Sequence, residues 1–188
     1  MIRFIQNLFF GIIAFLAIMV VLSFFLPDKY TIEKTIHINA PVDIVFEQVN
    51  ELSHWEDWSY FANLDANWKI DFGNWTFGKD ASMRWNSEKL GDGKLKIVES
   101  IPAKMIHVFF EYEEPGKRGD ANYIFTKKND GTEVTFQLEL PVPLNIKDKF
   151  ENIFIKKEGD KNPQLDYSLK HLKGVSERIF RENLDSND

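Results

Sequence analysis

The acidic side chain with the most unusual predicted position is that of Glu99. Strict alternation along a strand places it on the same face as the apolar side chains of Leu95 and Ile97. A carboxyl group inside an apolar cavity can act as an acid, a base or an anchor for a ligand. A bulge near the end of the strand would instead turn Glu99 to the solvent, and we favour this second interpretation.

Other polar side chains with catalytic potential lie near the tryptophans. His54 precedes Trp55 and could stand at a pocket entrance or shuttle protons, although a place on a helix surface is the simpler interpretation. Paired carboxylates near aromatic rings are also a feature of glycoside hydrolysis, and the aspartates in question are Asp57, Asp65 and Asp71. Because turns and loops are rich in aspartate, we interpret these three as solvated surface residues.

No pattern in the sequence predicts a metal or a cofactor. The chain has no cysteine, and its four histidines do not stand at the spacing of metal ligands. A glycine-rich phosphate loop and a nucleophile elbow are also missing from the sequence. We therefore expect no cofactor, and we favour a binding protein over an enzyme.

The net charge and the number of aromatic residues limit the kinds of partner that the protein can bind. Its 188 residues carry a formal net charge of −6 without a stripe of Lys or Arg, so binding to nucleic acid is not expected. Seventeen Phe, five Trp and five Tyr supply a large ring surface. Such a content indicates a large aromatic core or an aromatic-lined pocket.

An uncharged apolar segment covers residues 8–26 near the amino terminus. As a helix it would span about 28 Å, close to the thickness of the bilayer hydrocarbon, and Pro27 follows it. A cleaved signal peptide would have a shorter apolar stretch and small residues at its end, whereas this segment ends in two phenylalanines and a leucine. We predict a transmembrane anchor over residues 1–28.

The orientation of this anchor follows from few charges. Arg3 is the charged side chain before the segment, while Asp28 and Lys29 cancel each other after it. The preference of positive charge for the inner side places the amino terminus in the cytoplasm and the domain on the outer, periplasmic side. We assign residues 29–183 to this domain and residues 184–188 to a disordered tail.

The rest of the chain shows strand and helix patterns in a clear order. Apolar residues at every second position predict a strand at residues 30–38, and helical spacing predicts a short helix at residues 42–49. A second short helix follows near Trp55, and then about six strands separated by turns that contain Gly or Pro. Helical spacing over residues 165–179 predicts a long closing helix, which is preceded by an apolar stripe of Phe150, Ile153 and Phe154.

The strand series predicts an antiparallel meander with one apolar face. That face must be covered, and the C-terminal helix is the candidate cover. The side chains directed to the enclosed space are Met83, Trp85, Leu95, Ile97, Val108, Phe110, Tyr112, Tyr123, Phe125, Phe136, Leu138, Leu165, Leu169 and Leu172. They either line a ligand pocket or pack against one another as an ordinary core.

Four segments carry a resemblance to a known family. Residues 32–59 hold a strand, an Ala-Pro-x-x-x-Val-Phe helix and a Trp-x-x-Trp turn, and residues 78–106 hold a Trp-containing strand, a Gly-x-Gly turn and a Pro-containing strand pair. Residues 131–135 begin the last strand of a hairpin, and residues 168–177 lie in the closing helix. Together these segments resemble the START/Bet v 1-like superfamily, also called SRPBCC or the polyketide cyclase/dehydrase and lipid transport group. With the N-terminal helix, the chain resembles a membrane-anchored bacterial subgroup of it.

The resemblance implies an α+β helix-grip fold, in which a curved antiparallel sheet wraps around a long C-terminal helix, here with an N-terminal transmembrane helix. It also implies a deep pocket for hydrophobic or amphipathic small molecules, including lipids. We therefore predict a membrane-tethered binding domain that sequesters such a molecule. Two alternatives stay open: a cyclase- or hydrolase-like enzyme that uses a pocket acid such as Glu99 or a tyrosine such as Tyr112, and a pocketless membrane-anchored domain for protein interaction.

Overall fold

The computed structural model describes five stretches of the chain, residues 2–23, 29–65, 67–114, 117–141 and 162–186. Two compact units are present, one formed by Met1–Tyr30 with Pro141–Gly159 and the other by Thr31–Leu140 with Asp160–Asp188. The predicted apolar stripe of Phe150, Ile153 and Phe154 lies outside the described residues.

The first unit contains helix α1, Ile2–Ser23, whose large apolar side chains are exposed. The predicted transmembrane anchor is not confirmed, because among the described residues no helix is both long and apolar enough to cross a membrane.

The elements that follow α1 have the predicted order. They begin with β1, Lys29–Ile38, and α2, Val42–Asn50. A 3-10 turn at Leu52–His54 and two short helices come next, α3 at Trp55–Trp58 and α4 at Tyr60–Leu64. Six strands follow: β2, Lys69–Phe72; β3, Ser82–Asn86; β4, Gly93–Ile101; β5, Met105–Tyr112; β6, Arg118–Lys128; and β7, Gly131–Pro141. The closing helix α5 covers Pro163–Asp185, so it extends into the segment predicted as a disordered tail.

The seven strands form one curved antiparallel sheet in the order β1-β7-β6-β5-β4-β3-β2. Neighbours in the sheet are therefore neighbours in sequence, except that β1 pairs with the last strand. Polar and apolar residues alternate along β4, β6 and β7, and the apolar ones are buried on one side. The predicted α+β architecture, with a curved sheet and a long C-terminal helix, is confirmed.

Helix α5 covers part of the inner face of this sheet. Leu169, Leu172 and Val175 stand at helical spacing and are buried in the core. The helix begins after Asn162, whose Oδ1 accepts a hydrogen bond from the backbone N–H of Leu165 over 3.0 Å. Pro163 occupies the first turn, where its missing N–H costs nothing. This cap determines where α5 begins.

A bulge in β4 determines the position of Glu99. The pairing of β4 with β5 is regular up to Ile97 and Val108, and it shifts by one residue before Glu99 pairs with His107. The extra residue reverses the alternation, so the side chain of Glu99 is exposed instead of facing inward. The favoured interpretation of the sequence, a bulge that turns Glu99 to the solvent, is confirmed.

The substitution Leu172→Ala tests the packing of α5 on the sheet. Leu172 is 0% exposed, so its truncation should lower the free energy of unfolding by about 2–5 kcal/mol. Urea unfolding of the full-length protein, followed by circular dichroism, measures the change. Lys170→Ala, on the exposed side of the same helix, is the matched control and should change this free energy by less than about 0.5 kcal/mol. An equally small effect at Leu172 would contradict the packing.

Candidate functional site

The inner face of the sheet is covered unevenly from one end to the other. At one end its side chains are completely buried, as those of Ile38 and Val134 are. At the other end, where Trp85 and Leu95 are buried, several other apolar side chains pack against the core but are only half-buried. We call this second region the open end, and its half-buried residues are Phe110, Tyr112, Leu138 and Leu165.

All fourteen predicted lining residues belong to the hydrophobic core or pack against it. Four of them form the open end. The ten others are buried: Met83, Trp85, Leu95, Ile97, Val108, Tyr123, Phe125, Phe136, Leu169 and Leu172. The structure therefore brings the fourteen together, while their role as ligand contacts stays a prediction.

Two aromatic rings near the open end lie over glycines of the neighbouring strand. Trp85 in β3 pairs with Gly93 in β4, and a Cβ atom added to Gly93 would come within 2.2 Å of the indole atom Cζ2. Phe110 in β5 pairs with Gly119 in β6, where an added Cβ would come within 2.7 Å of the ring atom Cζ. Each ring covers backbone that has no side chain of its own, so ring surface lines the sheet here.

These rings belong to a group of four that we call the aromatic wall: Trp68, Trp85, Phe110 and Tyr112. The rings of Trp68 and Trp85 are parallel with centroids 6.1 Å apart. Tyr112 meets Trp85 edge-on at 5.4 Å and Phe110 at 6.3 Å, which are favourable geometries for ring pairs. The indole N–H of Trp85 donates to the backbone oxygen of Gly91 over 3.0 Å, whereas the buried Nε1 of Trp68 has no partner within the described chain.

An open surface cavity of about 330 Å³ adjoins the aromatic wall at Tyr112. Its volume is within the range of about 300–1,000 Å³ that small-molecule sites occupy. Tyr112 is the predicted lining residue that contributes to this cavity. The rest of its lining comes from the turns on either side, namely Leu90, Gly91, Asp92, Glu113 and Glu114.

Two aspartates hold the turn on one side of the cavity. Oδ1 of Asp92 accepts hydrogen bonds from Nδ2 of Asn86 over 2.7 Å and from the backbone N–H of Ser87 over 3.2 Å. Oδ2 of Asp65 accepts one from the hydroxyl of Ser87 over 2.7 Å, and together with the backbone N–H of Asn67 this bond lowers the pKa of Asp65. Asp65 is therefore a buried structural residue and not the solvated one expected from the sequence.

A second aromatic group fills the closed part of the interior. Tyr123 meets Phe136 at 4.8 Å, Trp55 at 6.0 Å and Trp58 at 6.2 Å between ring centroids. The indole N–H groups of Trp55 and Trp58 donate to the backbone oxygens of Val49 and Gln48. Since these rings fill the space with one another, this part of the predicted lining acts as core.

Sequence reasoning missed three residues of this region, Gly93, Gly119 and Lys34. The two glycines matter only because a ring in the adjacent strand lies over each, and no local pattern reveals such a pair. Lys34 did have a signal, because alternation places it on the apolar face of β1 with Ile36 and Ile38. Its ammonium pairs with Asp166 of α5.

Comparison with known proteins shows the fold. No protein-family profile matches the sequence, and no curated protein matches it. A protein of unknown function from Staphylococcus aureus shares 10% identity and a TM-score of 0.62, over 81% of this chain and 96% of its own. At such identities the likeness establishes the fold alone, a curved antiparallel sheet that grips a C-terminal helix.

Two further structures come from biosynthetic systems. The di-domain ARO/CYC StfQ of the steffimycin biosynthetic pathway shares 10% identity and a TM-score of 0.58, over 80% of this chain and 52% of its own. DynU16, from the dynemicin biosynthetic locus, shares 15% identity and a TM-score of 0.51, over 78% of this chain and 46% of its own. The present chain thus spans about half the length of these two proteins.

The substitution Gly93→Ala tests the contact between Trp85 and the backbone of β4. The new Cβ would displace the indole, so we expect the free energy of unfolding to fall by about 1–3 kcal/mol and the tryptophan emission to shift. Gly174→Ala in α5 is the matched control, because a Cβ there meets nothing within 4 Å. It should raise this free energy by about 0.5–1 kcal/mol. Equal effects of the two substitutions would contradict the contact.

The phenol of Tyr123 makes stability depend on pH in the alkaline range. Burial raises the pKa of Tyr123 above its ordinary value of 10.0. Above pH 10 the unfolded chain loses this proton while the folded chain keeps it, so the free energy of unfolding falls as the pH rises, by up to about 1.4 kcal/mol per pH unit.

Tyr123→Phe removes this titration and keeps the ring. Urea unfolding at a series of alkaline pH values should therefore show a weaker loss of stability in this variant than in the unmodified protein. The same pH dependence in both proteins would show that the Tyr123 phenol does not titrate as its burial requires.

Proposed function

We propose that this protein binds a hydrophobic or amphipathic small molecule at the open end of its inner face. The observation that carries the proposal is the uneven cover of that face, which buries Leu169 and Leu172 on α5 but leaves Leu165 half-buried. Apolar area that stays partly exposed inside a concave surface is available to a ligand. Its burial contributes roughly 25 cal/mol per Å² before the costs of association.

The chemistry of the lining supports a ligand with apolar or aromatic surface. The aromatic wall offers ring surface, and the adjoining cavity of about 330 Å³ offers volume. Two polar groups lie within the wall, the hydroxyl of Tyr112 and the unpartnered Nε1 of Trp68. The phenol of Tyr112 is protonated at neutral pH, and burial raises its pKa further, so it can donate a hydrogen bond to the ligand.

The shared fold supports the same proposal. StfQ is an aromatase/cyclase by its description and DynU16 belongs to a biosynthetic locus, so related folds occur in proteins of small-molecule biosynthesis. We extend the proposal to membership of the START/Bet v 1-like superfamily, with a lipid or another hydrophobic molecule as the partner. The predicted localisation at a membrane, with the domain on the outer side, stays a prediction of the sequence.

The two alternative functions lack comparable support. The enzyme alternative relied on a pocket acid such as Glu99 or a tyrosine such as Tyr112. The bulge in β4 exposes Glu99, whereas Tyr112 stays a candidate for that alternative. The alternative of a pocketless interaction domain requires an interior without a ligand-sized void, and the open cleft beside Tyr112, which lies among surface turns, leaves that alternative to the binding experiment. We therefore pursue ligand binding.

Binding of the neutral fluorescent probe N-phenyl-1-naphthylamine to the full-length protein tests the proposal. We expect saturable binding with an increase in probe emission. Leu165→Trp fills the open end and should weaken binding by about tenfold, equivalent to about 1.4 kcal/mol. Leu184→Trp places the same side chain at an exposed position of the same helix and should leave the affinity unchanged.

Native mass spectrometry of the purified protein, with solvent extraction, provides an independent measurement. An apolar molecule released from the unmodified protein, and in smaller amount from Leu165→Trp, would support the proposal. Absence of saturable probe binding, together with absence of any extracted molecule, would overturn it. An equal loss of probe affinity in Leu165→Trp and Leu184→Trp would show that the ligand does not bind at the open end.

A further inference from the structure

Lys34 places a cation on the apolar inner face of the sheet. Its side chain is 16% exposed. Two outer-face contacts establish its register with β7, since Thr35 meets Thr135 at 3.1 Å between hydroxyls and Nε2 of Gln137 donates to Glu33 over 2.8 Å. Lys34 therefore lies across from Phe136, on the inner face.

The ammonium of Lys34 stands between the closed part of the interior and the open end. Phe136 belongs to the closed part through its contact with Tyr123. Leu138 is the next inward-facing residue along β7 and belongs to the open end. Nζ of Lys34 donates to Oδ1 of Asp166 over 2.5 Å, and Asp166 follows Leu165, the open-end residue of α5.

The two members of this ion pair depend on each other unequally. The side chain of Asp166 is 44% exposed and lies in the first turn of α5. Water and the positive end of the helix dipole therefore stabilise its charge without Lys34. An ammonium with little exposure on an apolar face requires an anionic partner, because burial of an unpaired charge is costly. Another anion can therefore take the place of Asp166, but Lys34 requires some anion beside it.

We propose that Lys34 binds the carboxylate of an amphipathic ligand, in place of Asp166, while the apolar part of that ligand occupies the open end. This inference rests on the proposed function, since it names the polar group of the same ligand. The ligand class is then an apolar molecule with one carboxylate, such as a long-chain acid. Its carboxylate takes over the charge-assisted hydrogen bond from Lys34, and Asp166 turns to the solvent.

A fluorescent acid and its neutral ester distinguish the charge from the apolar part of the ligand. We would titrate the full-length protein with cis-parinaric acid and with its methyl ester. The unmodified protein should bind the acid about tenfold more tightly than the ester, as expected for a charge-assisted hydrogen bond. Lys34→Met should abolish this preference and leave the affinity for the ester unchanged.

Asp166→Asn removes the competing carboxylate and should strengthen binding of the acid but not of the ester. A purely structural ion pair predicts the opposite, because loss of either partner would weaken both ligands alike. Lys96→Met is the matched control, since Nζ of Lys96 pairs with Asp80 at 2.7 Å on an exposed part of the sheet. This variant should change neither affinity, and urea unfolding of all variants checks that each is folded.

The possible outcomes separate this inference from the proposed function. Equal binding of acid and ester by the unmodified protein would overturn the role of Lys34 and leave the apolar site intact. Weaker binding of the acid by Asp166→Asn would also overturn that role. Binding of neither ligand would overturn the proposed function and this inference with it.

Discussion

The structure depends on the difference in width between one helix and the seven-stranded sheet that it covers. Strands spaced about 4.8 Å apart make a sheet about 29 Å wide, whereas a helix with its side chains is about 10 Å across. Curvature of the sheet brings the inner face towards α5, and helices α2 and α3 add further cover. Complete cover is reached at one end, where Leu172 and Val134 are fully buried. At the other end the described helices leave apolar side chains half-buried, and we call this region the open end.

At the open end, aromatic rings pack over glycines of the neighbouring strands, and this packing reduces the exposed area of the rings. Trp85 lies over Gly93 and Phe110 lies over Gly119, so one side of each ring is buried against backbone. A larger residue at either glycine would force the ring away from the sheet. The arrangement therefore presents aromatic surface towards the interior. The same contacts that stabilise the strands thus shape the proposed binding surface.

Two charged residues, Glu99 and Lys34, lie at strand positions where alternation predicts an inward side chain, but only one of them faces inward in the structure. Glu99 would face inward in a regular strand, but the bulge after Ile97 turns it to the solvent, where its charge is hydrated. The pairing around Lys34 keeps its side chain on the inner face of the sheet, where Asp166 supplies the opposite charge. A charge inside an apolar space is tolerated only with a partner. The interior therefore has a positive group beside a partly exposed anion, and this pair is the basis of the proposed preference for acids over neutral ligands.

Local patterns in the sequence determined the order of strands and helices, the inward-facing residues and the closing helix, because the two- and 3.6-residue periods record which side of each element is buried. The predicted membrane span at the N-terminal apolar segment is not confirmed among the described residues. The tertiary structure decided the bulge at Glu99, the pairing of Trp85 with Gly93, the burial of Asp65, and the contact between Lys34 and Asp166, which are 132 residues apart. Each of these depends on register between neighbouring strands or on the docking of α5. Local periodicity carries no information about which distant residues meet.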